Sequence, residues 1–301
     1  MAVVSTGGRR NGAWRSAARL AATLGLLGAW LAPSTAAAFC RTRLCDSPSS
    51  AVKCELDANK CATNTLPVYW PGPSVNFLID ARGSERRGIS GQAALLTLER
   101  AFANWTAADC GPGTPTIALG DLSLESDESA LQQALGAPGT DDPADQNVSV
   151  LTFVDDDWYP RSGSAVAITT TTWGLQTGRI RGTDIEVNSE NRAVSLTGEG
   201  EYDLFSVLTH EVGHVLGLSD VNDPQTVMYY RYQARDAEHP LAVDDEQGAC
   251  TIYPPDRFDK EGGGCACSVP RHGPAAETAW LSVTVMVLGF GFRRRSRGAR
   301  N

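Results

Sequence analysis

The residues with most chemistry to offer stand together in HEVGHVLGLSD, residues 210–220. His210 and His214 are four apart, so on a helix they lie one turn from each other on one face, where both imidazoles reach a single ion. Glu211 follows the first histidine and sets a carboxylate beside that ion without being a ligand, placed to take a proton from a bound water. Gly217 can adopt the left-handed conformation that ends a helix, which lets the chain turn back and deliver Asp220 as a third ligand. Zinc accepts an aspartate oxygen as it does a histidine nitrogen, and three protein ligands leave its fourth position for water. A closed structural zinc site would need a fourth protein ligand, and Cys₄ or Cys₂His₂ spacing is absent. Two competing ligand sets are also written in the chain: His239 in place of Asp220, or a downstream glutamate such as Glu238 or Glu246.

Met228 follows shortly after Asp220. With His210, Glu211, His214 and Gly217 it resembles the metzincin signature, HExxHxxGxxH followed by a Met-turn. The match departs at Asp220, where most metzincins carry a third histidine and some bacterial members an aspartate. TVMYY around Met228 and the later LAVDDEQGACTIYPP are similar to the matrixin branch. The resemblance covers roughly residues 66–254. It implies zinc-dependent hydrolysis of peptide bonds, with Glu211 as general base and an extended peptide as substrate. It also implies an apolar floor under the metal from Met228, and a metal-adjacent or following tyrosine at Tyr230 or Tyr229. Matrixins are usually kept latent by a cysteine-bearing propeptide, and no such motif is visible here.

Elements must position these residues. Asp203 is a plausible cap for the metal-binding helix, and Phe205, Leu208, Val212 and Val215 form an apolar stripe that would face the core and aim the histidines at a cleft. Ahead of it, VNFLID at 75–80 reads as a strand. Ser90 then caps a helix in which Leu95, Leu98, Phe102 and Trp105 share a face. PTIAL at 115–119 predicts a second strand, and the acidic, Ser/Gly/Pro-containing stretch 121–147 predicts a mobile insertion. Strands resume at 149–154, 164–173 and 183–188. The resemblance makes the middle one the cleft-bordering edge, to which a substrate adds as a further strand. Its Thr169–Thr172 run reads equally as an ordinary solvated face. Asp184, Glu186, Asn188 and Glu190 alternate, and the resemblance attaches structural calcium to this region, against the plainer reading of a solvated acidic strand end. The class expected is α+β: a metzincin-like domain with a mixed twisted sheet, a packing helix, the active-site helix and a C-terminal helix.

Both ends read as processing segments. Four arginines precede an apolar run from Leu20 to Leu31, and Ala36–Ala38 offer small residues for cleavage before Phe39, which marks 1–38 as a signal peptide. Residues 275–301 pair a hydrophobic segment with an arginine-rich end and, with Cys265 and Cys267 before them, resemble the MYXO-CTERM sorting tail; this implies retention at the cell envelope or release after processing. Between them the expected units are a cysteine-rich extension (39–65), a catalytic domain (66–256) and a Gly/Cys linker (257–274).

Without the four arginines of 1–38, and the six arginines and one glutamate of 265–301, the chain keeps 16 Lys and Arg against 34 Asp and Glu, a formal charge of −18. That charge argues against nucleic acid as a partner. A single exported monomer is expected. Eight cysteines in an exported chain read as disulfides. Cys110, after the first long helix, and Cys250, in the last, are expected to pair. Cys40, Cys45, Cys54 and Cys61 leave three connectivities open, with a second zinc site as their alternative. The competing functional class is a surface-displayed binding or adhesion module with a non-catalytic zinc.

Overall fold

A computed structural model describes residues 39–47, 50–137, 139–140, 148–158, 164–231 and 240–258. The signal-peptide and sorting-tail segments, and Glu238 and His239, lie outside the described residues. In chain order the elements are β1 (Cys40–Arg41), β2 (Ser74–Asp80), α1 (Gly91–Thr106), β3 (Ala118–Glu125), α2 (Glu128–Ala134), β4 (Val148–Val154), β5 (Ala167–Trp173), β6 (Ile180–Asn188), β7 (Val194–Ser195), β8 (Tyr202–Asp203), α3 (Leu204–Val215), β9 (Leu218–Ser219) and α4 (Val243–Ile252).

Five strands make one mixed sheet in the order β3-β2-β4-β6-β5. The first four run parallel and β5 is antiparallel to β6, which leaves β5 at an edge. The parallel strands carry the fully buried side chains expected of a sheet covered by helices, among them Phe77, Ile79, Leu151, Ile185 and Val187. The α+β class is as expected.

Helix α1 begins where Ser90 accepts a hydrogen bond from the Ala93 amide. Its buried face is Ala94, Leu98, Ala101, Phe102 and Trp105, with Leu95 only partly covered. Phe102 meets Phe77 of β2 edge to face at 6.0 Å, and the Trp105 indole donates to the Thr209 carbonyl of α3 at 2.7 Å. Thus α1 ties the sheet to the helix that carries the histidines.

The stretch after residue 117 departs from expectation. The strand runs from Ala118 to Glu125, beyond PTIAL, and Asp127 caps α2, so much of the expected insertion is regular structure. Residues 138 and 141–147 of it lie outside the described residues.

Cys110 and Cys250 pair as expected, tying the end of α1 to α4. In the amino-terminal segment Cys40 bonds Cys61 and Cys45 bonds Cys54, one loop nested in the other. These bridges exclude a second zinc site there. The segment is also part of the domain: β1 pairs antiparallel with β9, Cys40 opposite Ser219 and Arg41 opposite Leu218. Among the described residues no helix is long and apolar enough to cross a membrane.

Candidate metal centre

Helix α3 is capped by Asp203, whose carboxylate accepts from the Ser206 amide at 2.8 Å. Leu204, Val207, Leu208, Val212 and Val215 are fully buried along one side. Phe205, expected in that stripe, is only half-buried, and the Arg100 guanidinium lies 4.6 Å over its ring. The buried stripe turns His210 and His214 the other way, with ring centroids 4.8 Å apart.

After the helix Gly217 takes φ +93°, a left-handed conformation, and a Cβ there would come within 3.0 Å of the Val68 carbonyl oxygen. The reversal brings Asp220 back under the histidines. Its Oδ1 lies 3.3 Å from His210 Nε2 and 3.6 Å from His214 Nε2. The three ligand atoms all lie within 4.8 Å of one another. A tetrahedral ion with ligands at about 2.0–2.1 Å separates them by about 3.3–3.4 Å, so the two aspartate–histidine separations fit zinc.

The other imidazole nitrogens are committed to backbone. His210 Nδ1 donates to the Val227 carbonyl at 2.7 Å and His214 Nδ1 to the Leu218 carbonyl at 3.0 Å. Such bonds fix each ring's orientation and tautomer and turn Nε2 to the metal position. Side-chain exposure rises from 11% at His210 through 23% at His214 to 51% at Asp220, so the centre opens to solvent on the aspartate side. Burial works against charge on both His210 and Asp220, but their mutual attraction wins: His210 rises to about 8, helped by Glu211, and Asp220 falls below the usual carboxylate range, helped by His214.

Glu211 is 3% exposed, and the Thr169 hydroxyl of β5 donates to its Oε2 at 2.6 Å. The strand therefore is more than a solvated face. Glu246 lies on α4 and joins no group of metal-binding atoms among the described residues, and neither do Asp184, Glu186 and Glu190 together. Asp184 instead uses its two oxygens to accept the Val150 and Gly136 amides, at 3.0 and 2.6 Å.

Sequence reasoning missed several supports. Met228 is buried, and its sulfur lies 2.1 Å from where a Cβ on Gly213 would stand, with Trp105 at 2.9 Å on that same Cβ. Gly213 is what lets α3 pass between the two. Asp245, 1% exposed, accepts from the amides of Val227, Met228 and Ala242 and so holds the turn under the helix. Desolvation pushes its carboxyl above the usual range. The Tyr253 hydroxyl accepts from the Trp70 amide and donates to the Leu216 carbonyl at the end of α3. The available signal was the matrixin-like stretch LAVDDEQGACTIYPP, which contains both Asp245 and Tyr253. Tyr230 is 48% exposed, and its ring meets that of Tyr229 edge to face at 4.9 Å.

Comparison with known proteins agrees with this geometry. Residues 97–254, more than half of the 301, match the family model described as Matrixin. Over 59 residues the chain is 48% identical to matrix metalloproteinase-16 of Homo sapiens, covering 19% of this chain and 10% of that protein. It is 41% identical to metalloendoproteinase 1-MMP of Arabidopsis thaliana over 59 residues, 20% of this chain and 16% of the relative. Against matrix metalloproteinase-27 of Tupaia belangeri it is 43% identical over 53 residues, 17% and 10% of the two chains. The matches thus span 10–16% of the length of these relatives. With a family match over more than half of the chain, a mixed sheet and a helix presenting paired histidines over a methionine turn, the chain belongs to the matrixin family.

Proposed function

We propose that this protein is an exported zinc-dependent endopeptidase, with His210, His214 and Asp220 as the metal ligands and Glu211 as general base. The observation that carries the reading is the meeting of His210, His214 and Asp220, with ligand atoms all within 4.8 Å of one another, beside the buried carboxylate of Glu211. Bound zinc supplies a Lewis acid for the scissile carbonyl and lowers the pKa of water at its open position. Glu211 takes the proton of the attacking water and returns it to the leaving amine nitrogen. Among the described residues edge strand β5 pairs only with β6, and an extended peptide can add to its other side as a strand, with backbone hydrogen bonds that do not depend on its sequence. Three disulfides support an oxidising compartment and hence export.

The purified protein is expected to bind one zinc and to cleave a denatured protein, with chelator abolishing cleavage. Glu211→Gln should keep the zinc and the fold while turnover falls about 10²–10⁴-fold. Undiminished cleavage by that variant would defeat the mechanism. Zinc loading in a wild-type protein that cleaves nothing would favour a binding module instead.

A further inference from the structure

We infer that Thr169 is a positioning residue for Glu211, an assignment that rests on the peptidase reading and names a residue outside the metal-binding stretch. Thr169 sits in edge strand β5, opposite the fully buried Ile185 of β6, so its backbone is anchored by the sheet. Its Oγ1 lies 2.6 Å from Glu211 Oε2 and 3.4 Å from the Glu211 carbonyl oxygen. A hydroxyl has one proton to give, and the shorter contact, in the range of a hydroxyl-to-carboxylate bond, takes it.

The consequence is orientational. A glutamate side chain turns about three torsions, and a base displaced by about 1 Å can cost about a hundredfold in rate. Helix α3 fixes only the Cα of Glu211; the Thr169 hydroxyl fixes the far end. Threonine suits the task because its branched Cβ restricts χ1, so the donor is itself held in place. The substrate-bordering strand and the base are thereby joined directly. A peptide added to β5 would lie beside the strand whose side chain steers Glu211.

The test uses the full-length protein with Thr169→Val, which keeps the shape without the donor, and Thr169→Ser, which keeps the donor. Two readouts are needed. With zinc bound and stoichiometry unchanged, Thr169→Val should lower kcat for a peptide about tenfold to a hundredfold with KM little altered, and Thr169→Ser should restore most of kcat. In chelator-treated protein, the urea midpoints of Thr169→Val, Glu211→Ala and the double variant should be non-additive, because the second change has no bond left to remove. An unchanged kcat in Thr169→Val, or strictly additive midpoints, overturns the assignment while leaving the peptidase reading intact. A zinc-loaded wild type that cleaves no peptide overturns both.

Discussion

A helix that presents the proposed metal ligands must be rigid, and at one residue rigidity depends on a missing side chain. Gly213 lies between Trp105 and Met228, and a Cβ there would fall 2.9 Å from the indole and 2.1 Å from the sulfur. Alanine is the better helix former by about 1 kcal/mol, but overpacking a full core costs about 1–3 kcal/mol, so steric conflict should win. Gly213→Ala is therefore expected to lower the thermal midpoint, with displacement of Met228 visible in a crystal structure. A raised midpoint would show that the methionine moves aside freely. At this scale the facing of His210 and His214 could be read directly from the sequence, because i, i+4 spacing on a helix is a local property. Gly213, Asp245 and Thr169 could not, because each acts on a group brought to it by the fold. Asp245 is 17 residues from the Met228 amide and Thr169 is 42 from Glu211.

The elements were legible where burial imposes a period. Helix α1 and strands β2, β4 and β6 each hide a face, and their apolar spacing shows it. Strand β3 has no fully buried residue, and α2 buries only Leu131, so neither leaves a hydrophobic repeat, and acidic side chains gave the stretch a loop-like composition. That region also carries a pH-sensitive joint. Asp184 of β6 accepts the Gly136 amide just beyond α2, and burial raises its carboxyl from 3.8 to about 6, with Glu186 adding to the rise. The folded state therefore holds a proton that the unfolded state has released between those values. Its contribution to stability is present below pH 4 and is lost as pH rises through 6. Subtracting the urea-unfolding free energy of Asp184→Asn from that of wild type should give a difference that declines from pH 4 to pH 6. A flat difference would place the carboxyl at its ordinary value.

Over the whole molecule, the long-range pair Cys110–Cys250 was readable because each cysteine neighbours a predictable helix. The nested pairs 40–61 and 45–54 were not, since four closely spaced cysteines in a chain without periodicity give no basis for choosing. Nor did composition reveal what the bridges serve. Cys40 belongs to β1, which pairs with β9 immediately before Asp220, and Thr42 adds a hydroxyl bond to the Leu218 carbonyl, the same oxygen that accepts from His214 Nδ1. On its other flank Val221 is bonded to Met228 and Tyr230. The aspartate is thus held from two sides, one of them covalently fastened. Replacing Cys40 and Cys61 by serine should cost about 3 kcal/mol, as for other closed loops of this size, and should weaken zinc retention in a chelator competition. Stability lost with zinc affinity unchanged would show the brace to be irrelevant to the ligand.

That brace ties the proposed third ligand to the redox state of one disulfide. In a reducing buffer the chain would lack the sulfur bond that steadies Asp220, and the proposed site is expected to hold zinc less tightly. Under oxidising conditions, with Cys40 and Cys61 joined, Asp220 keeps the covalent support of its β1 flank.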